Sequence, residues 1–190
     1  MFYAISLKSV RRRLKPLFIL LLIIALIVGG YFVALTIYPV KHLEYIDKYA
    51  QEYGVDRTLV LAIIHTESRF NQRAVSRSDA RGLMQIMPST AYWLAEQAGM
   101  EFTAEDLFDP AVNIRLGTWY ISRLIRTYEN QETALAAYNA GSGNVNSWLT
   151  GGEHSRDGVT LESIPFEETR NYVRRVDFAQ NVYRVLTLFR

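Results

Sequence analysis

Leu59-Val-Leu-Ala-Ile-Ile-His-Thr-Glu-Ser-Arg-Phe70 reads as a helix that runs out of apolar residues only in its last turns. Its first six positions are all apolar, so it has almost no face to give to water and belongs at the centre of a domain. Asp56 is placed to open it, its carboxylate accepting from the unpaired N–H groups of the first turn. Glu67 falls at the C-terminal end, against apolar neighbours and at the negative pole of the helix dipole. Both surroundings disfavour the ionised carboxylate and raise its pKa. A glutamic acid that keeps its proton near neutral pH is a candidate general acid. A Glu that merely reaches solvent as a helix surfaces has the same spacing, so the rest of the chain has to decide.

Outward from this helix, residues beyond 40 read as helical throughout. Residues 41–53 form a short amphipathic pattern ending at Gly54, and residues 71–81 are polar and irregular, a loop. Pro88 suits the first turn of a helix to residue 98, with Gly99 as its stop. Thr103-Ala-Glu-Asp106 has the form of a capping box, and Asp109-Pro110 starts a helix to about residue 128. In it Val112, Leu116, Tyr120, Ile121, Leu124 and Tyr128 recur at helical spacing. Residues 134–140 form a small-residue helix stopped by Gly141 and Gly143, and residues 144–149 a further turn. Residues 151–160 are polar and contain glycine, a surface loop or lid. A last helix over residues 166–188 packs Tyr172, Val176, Ala179, Val182, Tyr183 and Leu186. No segment alternates with period two, so the fold class is all-α.

Before this domain, residues 17–38 hold no charged side chain and begin with twelve unbroken apolar residues. Twenty-two helical residues span about 33 Å, enough for a bilayer core of roughly 30 Å. Lys8, Arg11, Arg12, Arg13 and Lys15 precede it with no acidic residue. The expectation is a cytoplasmic basic tail (residues 1–16), a single transmembrane signal anchor (17–38) and an extracytoplasmic domain (39–190). A cleaved signal peptide is the alternative; the apolar stretch is long for one, and Ala34-Leu35-Thr36 offers no Ala-x-Ala site. The net charge of +2 hides an asymmetry, since residues 39–190 hold 16 basic and 19 acidic side chains, a net of −3. Such a domain is no polyanion binder, and nucleic acid is not an expected partner. With no cysteine there is no disulfide framework or thiolate metal site, and the three histidines are too scattered for a metal, so neither metal nor cofactor is expected.

Four blocks decide between the two meanings of Glu67: Glu67-Ser68-Arg69-Phe70, Gly82-Leu-Met-Gln-Ile-Met-Pro88, Ala136-Ala-Tyr-Asn-Ala-Gly141 and Ile164-Pro-Phe-Glu-Glu-Thr-Arg-Asn-Tyr172. In this order they resemble the soluble lytic transglycosylase (SLT domain) family, whose domain has the fold of goose-type lysozyme. The resemblance covers roughly residues 43–186. It implies an enzyme of bacterial peptidoglycan that cuts between N-acetylmuramic acid and N-acetylglucosamine and closes the muramoyl C6 hydroxyl onto C1, leaving a 1,6-anhydro end. Glu67 stands at the catalytic position, acid first and base second. The family position of Ser76 implies a hydrogen bond near the reacting acetamido group, although a turn-forming serine fits the same spot.

The residues themselves are compatible with that chemistry. Ordinary glycosidases need two carboxylates, and none of the blocks pairs one with Glu67; Asp79 is the nearest candidate. Without a partner, the substrate must supply the nucleophile, and the sugar's own 2-acetamido group can attack C1, the substrate-assisted exception. Gly82 lets the backbone pass close to a sugar. Gln85 both donates and accepts, as an acetamido group or hydroxyl requires. Met87 is a candidate cleft residue through its backbone. Tyr138 and Asn139 should face the Glu67 helix, with the Tyr138 hydroxyl orienting the carboxyl, and Tyr172 should reach the cleft from the last helix. His65, two residues from Glu67, points to another face, and Glu168 and Arg170 read as rim or structural contacts. Two other functions fit the same blocks: a hydrolytic muramidase of the same fold, and a membrane-anchored wall-binding factor with a spent site.

Overall fold

The computed structural model describes residues 7–97 and 99–188, with side chains described from residue 14 onward. Residues 1–6 of the expected basic tail and Ala98, at the expected end of the Pro88 helix, lie outside the described residues. The chain divides into two compact units, one ending at Pro39 and one starting at Val40.

The first unit is helix α1 (Leu7–Ile37). Within it Leu14–Ile37, 24 residues of mean hydropathy 2.9, is long and apolar enough to cross a membrane. That stretch starts before the expected boundary at Leu17 and ends before Tyr38. A single Lys15 interrupts the apolar composition without interrupting helical backbone, so the charge count and the helix end at different places.

The second unit holds α2 (Leu43–Tyr53), α3 (Arg57–Ser68), α4 (Pro88–Gln97), a 3-10 turn (Ala104–Phe108), α5 (Pro110–Tyr128), α6 (Gln131–Ala140), α7 (Ser142–Thr150) and α8 (Glu167–Leu186). Helix α3 is its axis: Leu59, Val60, Leu61, Ala62, Ile63 and Ile64 are each 0–1% exposed. Such all-round burial requires neighbours on every side. Helix α8 lies along α3 and α6, while α5 packs against α2 and α6. Among the described residues there are no strands, only isolated antiparallel bridges joining Val75 to Arg81 and Arg81 to Ile86.

Capping explains where the helices begin. Asp56 Oδ1 accepts from the Thr58 N–H at 2.8 Å, and Asp109 Oδ1 from the Val112 N–H at 3.0 Å. Asn130 Oδ1 accepts from the Thr133 N–H at 2.9 Å, which starts α6 three residues before the small-residue run. Gly141, at φ 87°, makes the whole turn between α6 and α7. Gly143 therefore stops nothing and sits inside α7, a full helix where the sequence suggests a turn. Val182 is only half-buried, at the edge of the α8 core face.

The 151–160 segment is a loop braced by its own side chains. Asp157 Oδ1 accepts from the N–H groups of Thr160 (2.7 Å) and Val159 (2.8 Å) and from the Ser155 hydroxyl (3.0 Å). These bonds stabilise the ionised form and hold its carboxyl down to about 2. Just beyond, the Leu161 N–H donates to the Thr133 hydroxyl of α6 at 3.3 Å.

Candidate active site

Glu67 closes α3 half-buried, one residue before the helix's last. The two residues after that helix, Arg69 and Phe70, both take left-handed backbone (φ 50° and 63°), turning the chain sharply away. Burial raises the Glu67 carboxyl from 4.5 to about 7, against smaller downward pulls from the Tyr172 hydroxyl and the Arg175 guanidinium. The axial helix thus keeps a large protonated fraction of its one acid up to about neutrality.

Tyr172 of α8 is 2% exposed. Burial first, and then the Glu67 charge, push its phenol well above 10. Its oxygen finds no partner at ordinary hydrogen-bond geometry among the described residues, although it lies close enough to favour the ionised Glu67. Tyr138 of α6 also feels the Glu67 charge, after burial. Its hydroxyl, however, donates to the Met84 carbonyl at 2.9 Å, so the proton expected to orient Glu67 serves the neighbouring loop instead.

That loop, residues 82–87, is fastened by side chains from several helices. The Ser68 hydroxyl reaches the Leu83 carbonyl at 2.7 Å. Asn113 of α5 accepts from the Met84 N–H at 2.8 Å and donates to the carbonyls of Leu107 (2.8 Å) and Arg81 (3.0 Å). Gly82, at φ 77°, has no room for a side chain: a Cβ would stand 2.1 Å from the Leu107 carbonyl oxygen and 2.3 Å from Asn113 Nδ2. Its lack of a side chain serves this internal contact, a reason for glycine here that needs no sugar.

Beside the loop opens a cleft of about 260 Å³. Gln85, Met87, Tyr138 and Asn139 all line it, together with Thr90 and Tyr120. Gln85 Nε2 is already committed to the carbonyls of Gly82 (2.9 Å) and Ala74 (3.1 Å), which leaves its oxygen to face a ligand. Met87 is 39% exposed, whereas Met84 is fully buried. Glu67 and Tyr172 are not among the cleft's walls, and Tyr138 links the two groups.

Ser76 stands apart. It is exposed, and its Oγ accepts from the N–H groups of Ala80 (3.0 Å) and Ser78 (3.2 Å), the bonding of a turn-forming serine. Asp79 is no partner for Glu67 either, because Arg81 holds both its oxygens, at 2.9 and 3.2 Å. Arg170 donates to the carbonyls of Ile164 and Pro165, tying the approach to α8. His65 packs edge-on against Tyr183, with ring centres 6.1 Å apart. Among the described residues no group of three or more His, Cys, Asp or Glu is gathered to hold a metal.

Residues 44–157 match the family model described as Transglycosylase SLT domain. The chain belongs to that family. Among its relatives, the soluble lytic murein transglycosylase of Escherichia coli K12 is 34% identical over 151 residues, 77% of this chain and 23% of the relative. The membrane-bound lytic murein transglycosylase C of Yersinia pestis is 35% identical over 168 residues, 76% of this chain and 47% of the relative. The structure of the lytic transglycosylase Slt of Pseudomonas aeruginosa, an inactive Glu-to-Gln mutant, superposes with a TM-score of 0.70 at 37% identity. It covers 78% of this chain and 24% of its own. The chain therefore spans about a quarter of the length of its soluble relatives. The all-helical, lysozyme-like fold is common to them.

Within this SLT domain, sequence reasoning missed four supporting residues. Asn113 interrupts the apolar face of α5, and a polar residue at a core position was its only signal. Gly117, in mid-helix, makes room for Met84, whose Sδ would lie 2.4 Å from a Cβ there. Ser68 was hidden inside a motif that drew attention to its neighbour. Tyr120 carried a core spacing, yet it is half-exposed and lines the cleft, its ring 5.3 Å from that of Tyr138.

Proposed function

We propose that the chain is a peptidoglycan lytic transglycosylase anchored by α1, with its N-terminus in the cytoplasm and its SLT domain in the extracytoplasmic envelope. One observation carries the chemistry: Glu67 is held near pKa 7 by burial, and the nearest candidate for a second carboxylate is engaged by Arg81. Protonated Glu67 gives its proton to the glycosidic oxygen as the bond to the muramoyl C1 breaks. The acetamido oxygen of the same sugar attacks C1 and holds the positive charge. The C6 hydroxyl then displaces it, and the Glu67 carboxylate recovers a proton from that hydroxyl. No water is consumed, and the product carries a 1,6-anhydro ring.

The other residues take roles that their bonding leaves open. Gln85 offers its free oxygen to a substrate N–H, and Asn139 offers either end of its amide. Met87 contributes backbone and an apolar wall. The Tyr172 hydroxyl stabilises Glu67 in its ionised, proton-accepting state. Tyr138 holds the loop and, with its ring, the cleft wall. Ser76, whose oxygen is occupied in its turn, has only its own O–H to give. Five basic residues ahead of the uncharged stretch 17–38 support the cytoplasmic placement of the N-terminus.

Digestion of purified wall, with the released fragments weighed by mass spectrometry, tests this directly. The expected fragments carry anhydro ends, lighter by one water than reducing ends. Reducing ends would make the protein a muramidase, and clearing by a Glu67→Gln variant would remove Glu67 from the chemistry.

A further inference from the structure

The cleft does not end at Tyr138. A second hollow of about 330 Å³ adjoins it, lined by Ser89, Thr90, Trp93, Tyr120 and Ser142, and the two share Thr90 and Tyr120. No charged side chain lines either one. We infer that this hollow is a distal sugar site, in which Trp93 stacks on a pyranose ring of the same glycan strand beyond the ring at the reaction centre.

Three features point to a neutral saccharide. Trp93 is 41% exposed on the surface of α4, unusual exposure for so large an apolar ring. It is also held in place: the Arg123 guanidinium of α5 lies 5.0 Å from its ring centre and 5.8 Å from that of Trp119. A cation stacked between two indoles restrains both, so little side-chain freedom is left to lose on binding. Around the indole stand the hydroxyls of Ser89, Thr90, Tyr120 and Ser142. An aromatic face rimmed by small hydroxyls matches the apolar C–H face and polar edge of a pyranose.

This inference deepens the glycan-cleaving proposal and rests on it for the identity of the strand. The full chain in detergent, carrying Glu67→Gln to prevent cleavage, is titrated calorimetrically with N-acetylglucosamine oligosaccharides of increasing length. Affinity should rise roughly tenfold once the oligomer is long enough to reach Trp93. Trp93→Ala should bind short oligomers like the parent and lose that step. Trp93→Phe, which keeps an aromatic face, should recover most of it, and Arg123→Ala should blunt it. The same length dependence in parent and Trp93→Ala overturns the inference. So does loss of short-oligomer binding in Trp93→Ala, or failure of the parent to bind any oligomer. The catalytic proposal is judged separately, by the ends that unmutated protein leaves on purified wall. An intact length step with hydrolytic ends, or with no cleavage, removes that proposal and leaves the Trp93 site standing.

Discussion

Glu67 carries a stability cost along with its chemistry. Its carboxyl titrates near 7 in the folded chain and near 4.5 when freed. The folded state thus binds the proton more tightly, and stability falls as pH rises from about 4.5 to about 7. The full penalty, on the order of 3 kcal/mol, is present above that window. Glu67→Gln removes it, so the variant should match the parent near pH 4 and exceed it by up to about 3 kcal/mol at pH 8, as read from denaturant midpoints across pH. The same change should lower wall cleavage by at least about 10²–10⁴-fold. Activity of the unmutated protein should decline as pH rises through about 7, because the required acid is lost. Tyr172 pulls the Glu67 pKa down. Tyr172→Phe should therefore shift that alkaline limb to higher pH, and a limb that stays put in rate-against-pH profiles would show that another group sets it.

At the scale of elements, the 82–87 loop is where local sequence and tertiary structure meet. Gly82→Ala drives a methyl into the Leu107 carbonyl and Asn113 at a left-handed backbone position. It should cost several kcal/mol, roughly the 1–3 kcal/mol of overpacking plus the αL penalty, and thermal melts will show it. Asn113→Ala leaves the Met84 N–H and two carbonyls without their side-chain partner. About 3 kcal/mol or more should follow, with a larger loss of activity than of helix content. Such loops are also where sequence reading thins out. Helix starts at Asp56, Asp109 and Pro88 were legible because capping chemistry is local. Glu67's burial was legible only from the apolar run and the four blocks together, since the run alone also fits a Glu that surfaces with its helix. The turn bonding of Ser76 is local and was among the readings the sequence offered, whereas the destination of the Tyr138 proton and the Gly82 void depend on residues tens of positions away. No local pattern encodes them, and only the fold brings those partners together.

For the whole molecule, the division at Pro39–Val40 separates two physical jobs. Leu14–Ile37 has the length and hydropathy to hold the chain in a membrane, and the SLT domain carries its own core around α3. Removing residues 1–39 should release the protein from the membrane fraction while leaving cleavage of isolated wall intact. Fractionation of cells expressing both forms, followed by digestion assays, checks both halves of that expectation.

The fastenings of the loop beside Glu67 share a property. Ser68, Asn113 and Tyr138 all bind main-chain atoms of residues 81, 83 and 84, and none of them grips a side chain there. These three holders therefore constrain the loop's backbone, and within the loop Gln85 adds a side-chain tether of its own, to the carbonyls of Gly82 and Ala74. Freedom to change on the held segment is therefore concentrated at Met87, its most open apolar position, while Gly82 and the buried Leu83, Met84 and Ile86 are fixed by the space around them.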